Sequence, residues 1–205
     1  MESKNYQEDL SHIRSMMERS SRFLSLSGLS GVFAGLTALL GAAYVFWLFR
    51  ENGINYFDGN RNVFTPELVK HLIWVAIVVL VGAVGSGYFF TARKGKRKGL
   101  QMWDTTSKRL LLNFLIPLIS GGIFCLALLY HNLFVFIAPA TLIFYGLALV
   151  NCAKYTLTDV QYLGYLEIAL GLVSMFFLGW GLLFWAIGFG VLHIVYGLVM
   201  YRKYQ

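Results

Sequence analysis

The sequence predicts an all-α integral membrane protein whose six transmembrane helices form a bundle of three hairpins. Three observations lead to this fold class. The chain has 205 residues, of which 58% are apolar and 13% are charged, whereas soluble domains carry about 25% charged residues. Six apolar runs each have the length that crosses a bilayer. Lysine and arginine are concentrated on one side of these runs, as in membrane proteins that follow the positive-inside rule.

The six spans are runs of mostly apolar residues, and a helix needs about 20 of these to cross the hydrocarbon core. None of the runs alternates between apolar and polar residues, so a transmembrane barrel is not expected. The second span has a clear start, with Thr65 as N-cap and Pro66 at the first helical position. The predicted spans are 28–49, 68–92, 110–130, 133–151, 160–178 and 182–201. The connecting segments are too short to bury a core, so residues 27–205 are expected to form one transmembrane domain.

Residues 1–26 are predicted to be a cytoplasmic arm that contains a short amphipathic helix. Leu10, Ile13 and Met17 recur near helical spacing with charged residues between them. The arm is long, polar and mixed in charge, unlike a cleaved signal peptide. We favour a helix that lies on the inner membrane surface, because the arm leads directly into the first span. A helix that docks on a partner protein is the alternative.

The first span carries a stripe of small residues, which lets helix backbones approach closely in lipid. The stripe contains Ser27, Gly31, Gly35 and Ala42. It is typical either of a dimer face or of packing within one chain. Because six helices have to pack together, we expect a contact within the chain.

The distribution of basic residues predicts that both termini are cytoplasmic. With the N-terminus inside, fourteen basic residues lie inside and three lie outside, a strong bias for loops of this length. The inside residues are Lys4, Arg14, Arg19, Arg22, Arg93, Lys94, Lys96, Arg97, Lys98, Lys108, Arg109, Lys154, Arg202 and Lys203, and the outside residues are Arg50, Arg61 and Lys70. Tryptophan is typical of membrane interfaces, and Trp47, Trp74, Trp180 and Trp185 fall at the predicted outer ends. A multi-pass protein of the cell inner membrane is the expected localisation.

The predicted loop 93–109 opens with a dense basic cluster. Basic residues near a membrane surface attract anionic lipid headgroups, and we expect such contacts here on the cytoplasmic side. The alternative is that the cluster only fixes the topology, and nucleic acid is not an expected partner. The cluster consists of Arg93, Lys94, Lys96, Arg97 and Lys98.

Glu167 is the only acidic residue inside a predicted span, and His193 is the only histidine well inside one. Ionisable groups at this depth are costly and often functional. Glu167 lies eight residues from Asp159, and His193 lies eight residues from Tyr201. The helical rise places both about 12 Å below the inner surface. Because the last two spans form a tight hairpin, we expect the two side chains to be neighbours.

The faces that carry this pair point into the bundle. Small residues share each face, Gly164 and Gly171 with Glu167, and Gly190 with His193, and faces of this kind pack against other helices. The pair is interpreted either as a proton-responsive or ligand-binding site or as a structural hydrogen bond. Four residues of the same leaflet are candidates to complete a binding site: Asn113, Tyr145, Asn151 and Tyr196.

The sequence carries no motif that indicates catalysis. It has no HExxH, no GxSxG and no glycine-rich phosphate loop, and we expect no enzyme activity, cofactor or metal site. Cys125 and Cys152 are expected near opposite faces of the bilayer, and therefore not to pair. The preferred function is a small accessory, sensor or scaffold protein of the membrane, with a protein partner or a homo-oligomer left open. The alternative is a proton-responsive carrier or channel that uses Glu167 and His193.

Overall fold

The computed structural model describes residues 27–54, 64–97 and 104–204, and every regular element in these ranges is helical. Five helical stretches within them are long and apolar enough to cross a membrane. The all-helical architecture of the described residues is therefore compatible with a multi-pass membrane protein. The predicted amphipathic arm, residues 1–26, lies outside the described residues.

The elements follow one another with short connections. The α-helices are α1 (Gly28–Glu51), α2 (Pro66–Arg97), α3 (Thr105–Tyr130), α4 (Ile137–Cys152), α5 (Asp159–Ser174), α6 (Gly181–Trp185) and α7 (His193–Tyr204). Single 3₁₀ turns occupy Phe134–Phe136, Ala153–Tyr155 and Leu178–Trp180, and a π-helical segment occupies Ala186–Leu192. The last turn, α6, the π segment and α7 run on without a break as Leu178–Tyr204, which we call the last helix.

The bounds of the predicted spans differ from those of the helices in the structure, among them the bounds of the fifth and the second span. The fifth, predicted as 160–178, is the 16-residue α5, which is about 24 Å long and is not among the five long apolar helices. It is shorter because Met175–Phe177 are apolar but not helical. The second was predicted to end at residue 92, but α2 continues to Arg97. The prediction that a loop begins at residue 93 is therefore wrong.

The starts of α2 and α3 are set by their capping residues. α2 begins at Pro66 as predicted, and the Leu68 N–H donates to the Thr65 hydroxyl over 3.3 Å. At α3, Asp104 Oδ1 accepts hydrogen bonds from the Ser107 hydroxyl (2.6 Å) and the Ser107 N–H (2.7 Å). These bonds stabilise the charged carboxylate and lower the pKa of Asp104.

The last helix joins two groups of helices. α1 packs against α2 on one side and against the π segment and α7 on the other. α4 packs against α3 and α5 and also meets α6. Leu142 and Ala148 of α4 are fully buried, so the densest packing lies around α4. In the most apolar parts of α2 and α3, only 11% and 6% of the residues are buried, as expected of helices that face lipid.

The small-residue stripe of α1 packs within the chain, which confirms the prediction. A Cβ atom added to Gly28 would collide with the backbone of Gly197 and Tyr201. A Cβ atom added to Gly31 would lie 3.1 Å from both the Gly197 Cα and the His193 carbonyl oxygen. The backbones of α1 and α7 therefore touch directly at these glycines.

We predict that Gly197→Ala lowers the stability of the protein by about 1–3 kcal/mol. A Cβ at this position would lie 2.6 Å from the Gly28 carbonyl oxygen and 2.6 Å from the Val32 nitrogen, and neither backbone atom can move aside easily. Thermal unfolding in detergent measures the effect. The matched control is Gly122→Ala on α3, where a Cβ has no neighbour within 4 Å. Equal melting temperatures for the two variants would contradict the proposed crossing.

Candidate functional site

Glu167 of α5 and His193 of α7 form a buried pair. The distance between His193 Nδ1 and Glu167 Oε1 is 3.4 Å. Glu167 is 0% exposed and His193 is 7% exposed. Both residues therefore point into the bundle at the same level, as the sequence predicts.

Close packing of α4 and α5 brings Glu167 into the interior. A Cβ atom on Gly164 would lie 2.9 Å from the Gly146 carbonyl oxygen, and one on Gly171 would lie 3.0 Å from the Ile143 nitrogen. Gly164 and Gly171 lie one turn before and one turn after Glu167 on the same face of α5. The two backbones therefore meet on both sides of the carboxyl group, which leaves it no route to the lipid.

The π segment provides the space that the carboxyl group occupies. A Cβ atom on Gly188 would lie 2.6 Å from Glu167 Oε2 and 2.5 Å from Leu142 Cδ2, so any larger residue would displace the carboxyl group. Gly190 faces the other way, and a Cβ there would collide with Leu39 of α1. The two glycines thus allow the last helix to approach α4 and α5 on one side and α1 on the other.

The imidazole of His193 is held at both nitrogens. Nδ1 lies 3.0 Å from the Gly188 carbonyl oxygen, and Nε2 lies 2.8 Å from the Tyr145 hydroxyl oxygen. A carbonyl oxygen can only accept, so Nδ1 carries a hydrogen. In the neutral imidazole, the Tyr145 hydroxyl therefore donates to Nε2. The Phe189 ring stacks on the imidazole with a centroid distance of 5.9 Å, which further restricts its rotation.

Four buried side-chain atoms of the described residues have no hydrogen-bond partner. They are both carboxyl oxygens of Glu167, the Ser174 hydroxyl and the Tyr196 hydroxyl. A buried ion is costly unless an opposite charge compensates it. Glu167 and His193 satisfy this condition either as a carboxylate with an imidazolium or as a neutral acid with a neutral imidazole. Both arrangements have zero net charge and the same number of protons, so the site can hold a proton on either partner.

The other predicted site residues divide into two groups. Tyr145 joins the pair through His193, and both Tyr145 and Tyr196 pack against the buried cluster that contains Cys152 and Met200. Asn151 instead donates to the backbone carbonyl of Asn113 over 2.7 Å, which links α4 to α3. The Asn113 side chain donates to a carbonyl of its own helix. The two asparagines therefore form a separate interhelical contact.

The basic cluster lies at the end of α2 and is only partly on the surface. Arg93, Lys96 and Arg97 are exposed, which suits contact with headgroups. Lys94 is only 6% exposed, and the headgroup contact predicted for it stays a prediction. Lys98 lies outside the described residues.

Sequence reasoning missed the backbone part of the site. Gly188 supplies both the space for the carboxyl group and the acceptor for His193 Nδ1. Two glycines two residues apart, just before the histidine, were the available signal, because glycine allows close approach of backbones. The π-helical geometry has no comparable signal, since it depends on contacts with other helices.

The described residues include no group of three or more His, Cys, Asp or Glu side chains placed to hold a metal ion. Cys125 and Cys152 are both free thiols, as predicted. Comparison with protein-family models, with curated proteins and with solved structures finds no match. The described site brings together one carboxyl, one imidazole and one phenol group.

We predict that Tyr145→Phe destabilises the protein by about 1–3 kcal/mol, since it leaves the buried His193 Nε2 without its partner. The matched control is Tyr196→Phe, which removes a buried hydroxyl that has no partner among the described residues and should leave the stability unchanged or slightly higher. Thermal unfolding of the two variants in the same detergent gives the comparison. An equal loss in both would show that the Tyr145–His193 hydrogen bond does not stabilise the fold.

Proposed function

We propose that this chain is a small, non-catalytic accessory, sensor or scaffold protein of the membrane, in which the Glu167–His193 pair holds the bundle together. One observation carries the proposal. Glu167 has 0% exposure, and its carboxyl group lies so close to Gly188 that a single carbon added to this glycine would collide with it. A packed and fully buried pair of this kind favours a structural joint over an open binding cavity.

The position of the pair explains why a joint is needed there. The last helix packs against α1 on one side and approaches α4 and α5 on the other. In lipid, apolar burial drives helix association only weakly, so polar contacts and close packing have to specify it. The Glu167–His193–Tyr145 contacts meet this need, because they connect α5, the last helix and α4 in one cluster.

We further propose that the chain crosses the cell inner membrane six times, with both termini in the cytoplasm. The shorter α5 counts as a span because the apolar Met175–Phe177 extend it toward the outer surface. The exposed Trp47, Trp74 and Trp180 lie at the outer interface in this orientation. The exposed basic residues at the end of α2 then contact anionic headgroups on the cytoplasmic side.

A second candidate function is a proton-responsive carrier or channel that uses the same pair. The observation that favours it is the set of unsatisfied buried oxygens on Glu167, Ser174 and Tyr196. Such atoms are rare in native proteins and often accompany water or ion pathways. The π segment beside them is also typical of helices with functional sites.

In the proposed topology, the two ends of α5 lie on opposite sides of the membrane. A reporter phosphatase fused after Leu157 should be inactive in a bacterial host, since this position is cytoplasmic, whereas the same enzyme fused after Trp180 should be active. A green fluorescent protein at Gln205 should be fluorescent. The six-span proposal fails if the Leu157 and Trp180 fusions report the same side, because α5 would then not cross the membrane.

Replacing Glu167 by glutamine distinguishes the two functions. In vesicles with an imposed pH gradient and an internal pH-sensitive dye, we expect equal proton flux for Glu167→Gln and the wild type. The substitution should instead lower the stability by about 1 kcal/mol, as for other polar contacts between membrane helices. If the wild type carries a proton flux and a folded Glu167→Gln variant does not, the structural role is wrong and the carrier or channel is favoured. Tyr196→Phe controls for the loss of an unpartnered hydroxyl.

A further inference from the structure

Five helices form a row whose two ends are α2 and α3. Among the described residues, α2 packs extensively only on α1, and α3 packs mainly on α4. α1 packs on the π segment and α7, and α4 packs on α6, so the last helix stands between them. The described parts of α1 and α4 make no substantial contact with each other. The order across the row is therefore α2, α1, last helix, α4 and α3.

The short connection between α2 and α3 bends this row into an arc. Packed helices lie about 8–10 Å apart, so a straight row would separate α2 from α3 by about 36 Å. Six residues, 98–103, connect Arg97 of α2 to Asp104, the N-cap of α3. A fully extended chain of this length spans at most about 25 Å. The ends of α2 and α3 that carry Arg97 and Asp104, which we call the inner ends, therefore face each other across a cleft.

Aromatic rings close the opposite end of the cleft. Phe64 lies just before α2, and its ring centroid is 6.3 Å from that of Phe49 at the end of α1. The same ring is 5.0 Å from the ring of Phe134, which precedes α4. These contacts connect the two halves of the row at one end only. An amphipathic ligand in the cleft therefore has to place its polar group at the inner ends.

The sides of the cleft are apolar, and the protein does not fill them with its own side chains. Exposed residues cover more than half of the circumference of α2 and of α3. An arc of this width extends into the cleft as well as toward the surrounding lipid. Near the inner ends, the exposed residues include Val84 of α2 and Leu112 and Ile116 of α3. Side chains of this kind match acyl chains.

Basic side chains from both helices meet at the inner ends. Five of them are exposed there: Arg93, Lys96, Arg97, Lys108 and Arg109. Asp104 is the one acidic residue that the structure describes at these two ends, and its Oδ1 accepts two hydrogen bonds from Ser107. The open end of the cleft is therefore strongly positive and complements a negatively charged group.

We propose that the cleft binds one anionic phospholipid. The phosphate lies between the inner ends of α2 and α3, and the acyl chains lie along the apolar sides toward the Phe64 and Phe134 rings. Basic sites between membrane helices on the cytoplasmic side bind anionic headgroups in this way. The inference deepens the proposed headgroup contact and rests on the proposed membrane insertion. It goes beyond that contact because it requires the cations of α3 and a place for the acyl chains.

Native mass spectrometry of the full chain in detergent micelles tests the site. With dioleoyl phosphatidylglycerol we expect one bound lipid per chain, and with the uncharged dioleoyl phosphatidylcholine about tenfold less retention. Neutralising two cations on either helix should weaken phosphatidylglycerol binding about tenfold. The α2 variant is Arg93→Gln with Arg97→Gln, and the α3 variant is Lys108→Gln with Arg109→Gln.

Two controls separate the cleft from general attraction to a basic surface. Lys154→Gln with Arg202→Gln also removes two exposed cations, but these lie away from α2 and α3, so the bound lipid should be retained. Dihexanoyl phosphatidylglycerol has the same headgroup with short acyl chains. It should bind at least about tenfold more weakly than the dioleoyl lipid, because it leaves most of the apolar sides uncovered.

Several outcomes would overturn the lipid site. Equal retention of the charged and uncharged lipids, an equal loss in the Lys154 and Arg202 control, or equal binding of the short-chain lipid would each do so. A wild-type chain without bound lipid would also contradict it, and a dimer mass in that sample would indicate a second copy in the cleft. Glu167→Gln should retain the lipid, since Glu167 lies on α5. The lipid site and the structural role of the Glu167–His193 pair can therefore fail separately.

Discussion

Burial of the Glu167 carboxyl group is the constraint on which the rest of the structure depends. A carboxyl group without solvent contact costs several kcal/mol if it is charged and unpaired, so the fold has to provide an imidazole at the same depth. It also has to provide the space, which exists only because residue 188 is glycine. The hairpin of α5 and the last helix meets both conditions with residues that lie far apart in the sequence.

The change from π-helix to α-helix at His193 lets the last helix contact several partners at once. The π segment places Gly188 against Glu167 and Gly190 against α1, and the return to α-helix at His193 aims the imidazole at both Glu167 and Tyr145. The Gly188 carbonyl oxygen fixes the hydrogen on Nδ1. Helix geometry and the position of the hydrogen on Nδ1 are therefore set by the same few atoms.

Most of the architecture, and the central pair of the site, could be predicted from the sequence. Runs of apolar residues fixed the helices, and equal spacing from the inner ends placed Glu167 beside His193, because the rise per residue of a helix is constant. The shorter α5 could not be predicted, since Met175–Phe177 are as apolar as the helix that precedes them. The contact of Asp159 with Lys203 was also missed, because it depends on how the N-terminus of α5 meets the C-terminus of α7.

In the six-span arrangement that we propose, the unequal lengths of α2 and α5 affect the surrounding lipid. α2 has 32 residues and α5 has 16, which correspond to about 48 Å and 24 Å, whereas the hydrocarbon layer is about 30 Å thick. Acyl chains next to α5 have to shorten or tilt to cover its apolar surface, at a cost of a fraction of a kcal/mol for each ångström of mismatch. The mismatch between α5 and a thick bilayer therefore strains the hairpin that contains Glu167, and a thinner membrane lowers this strain.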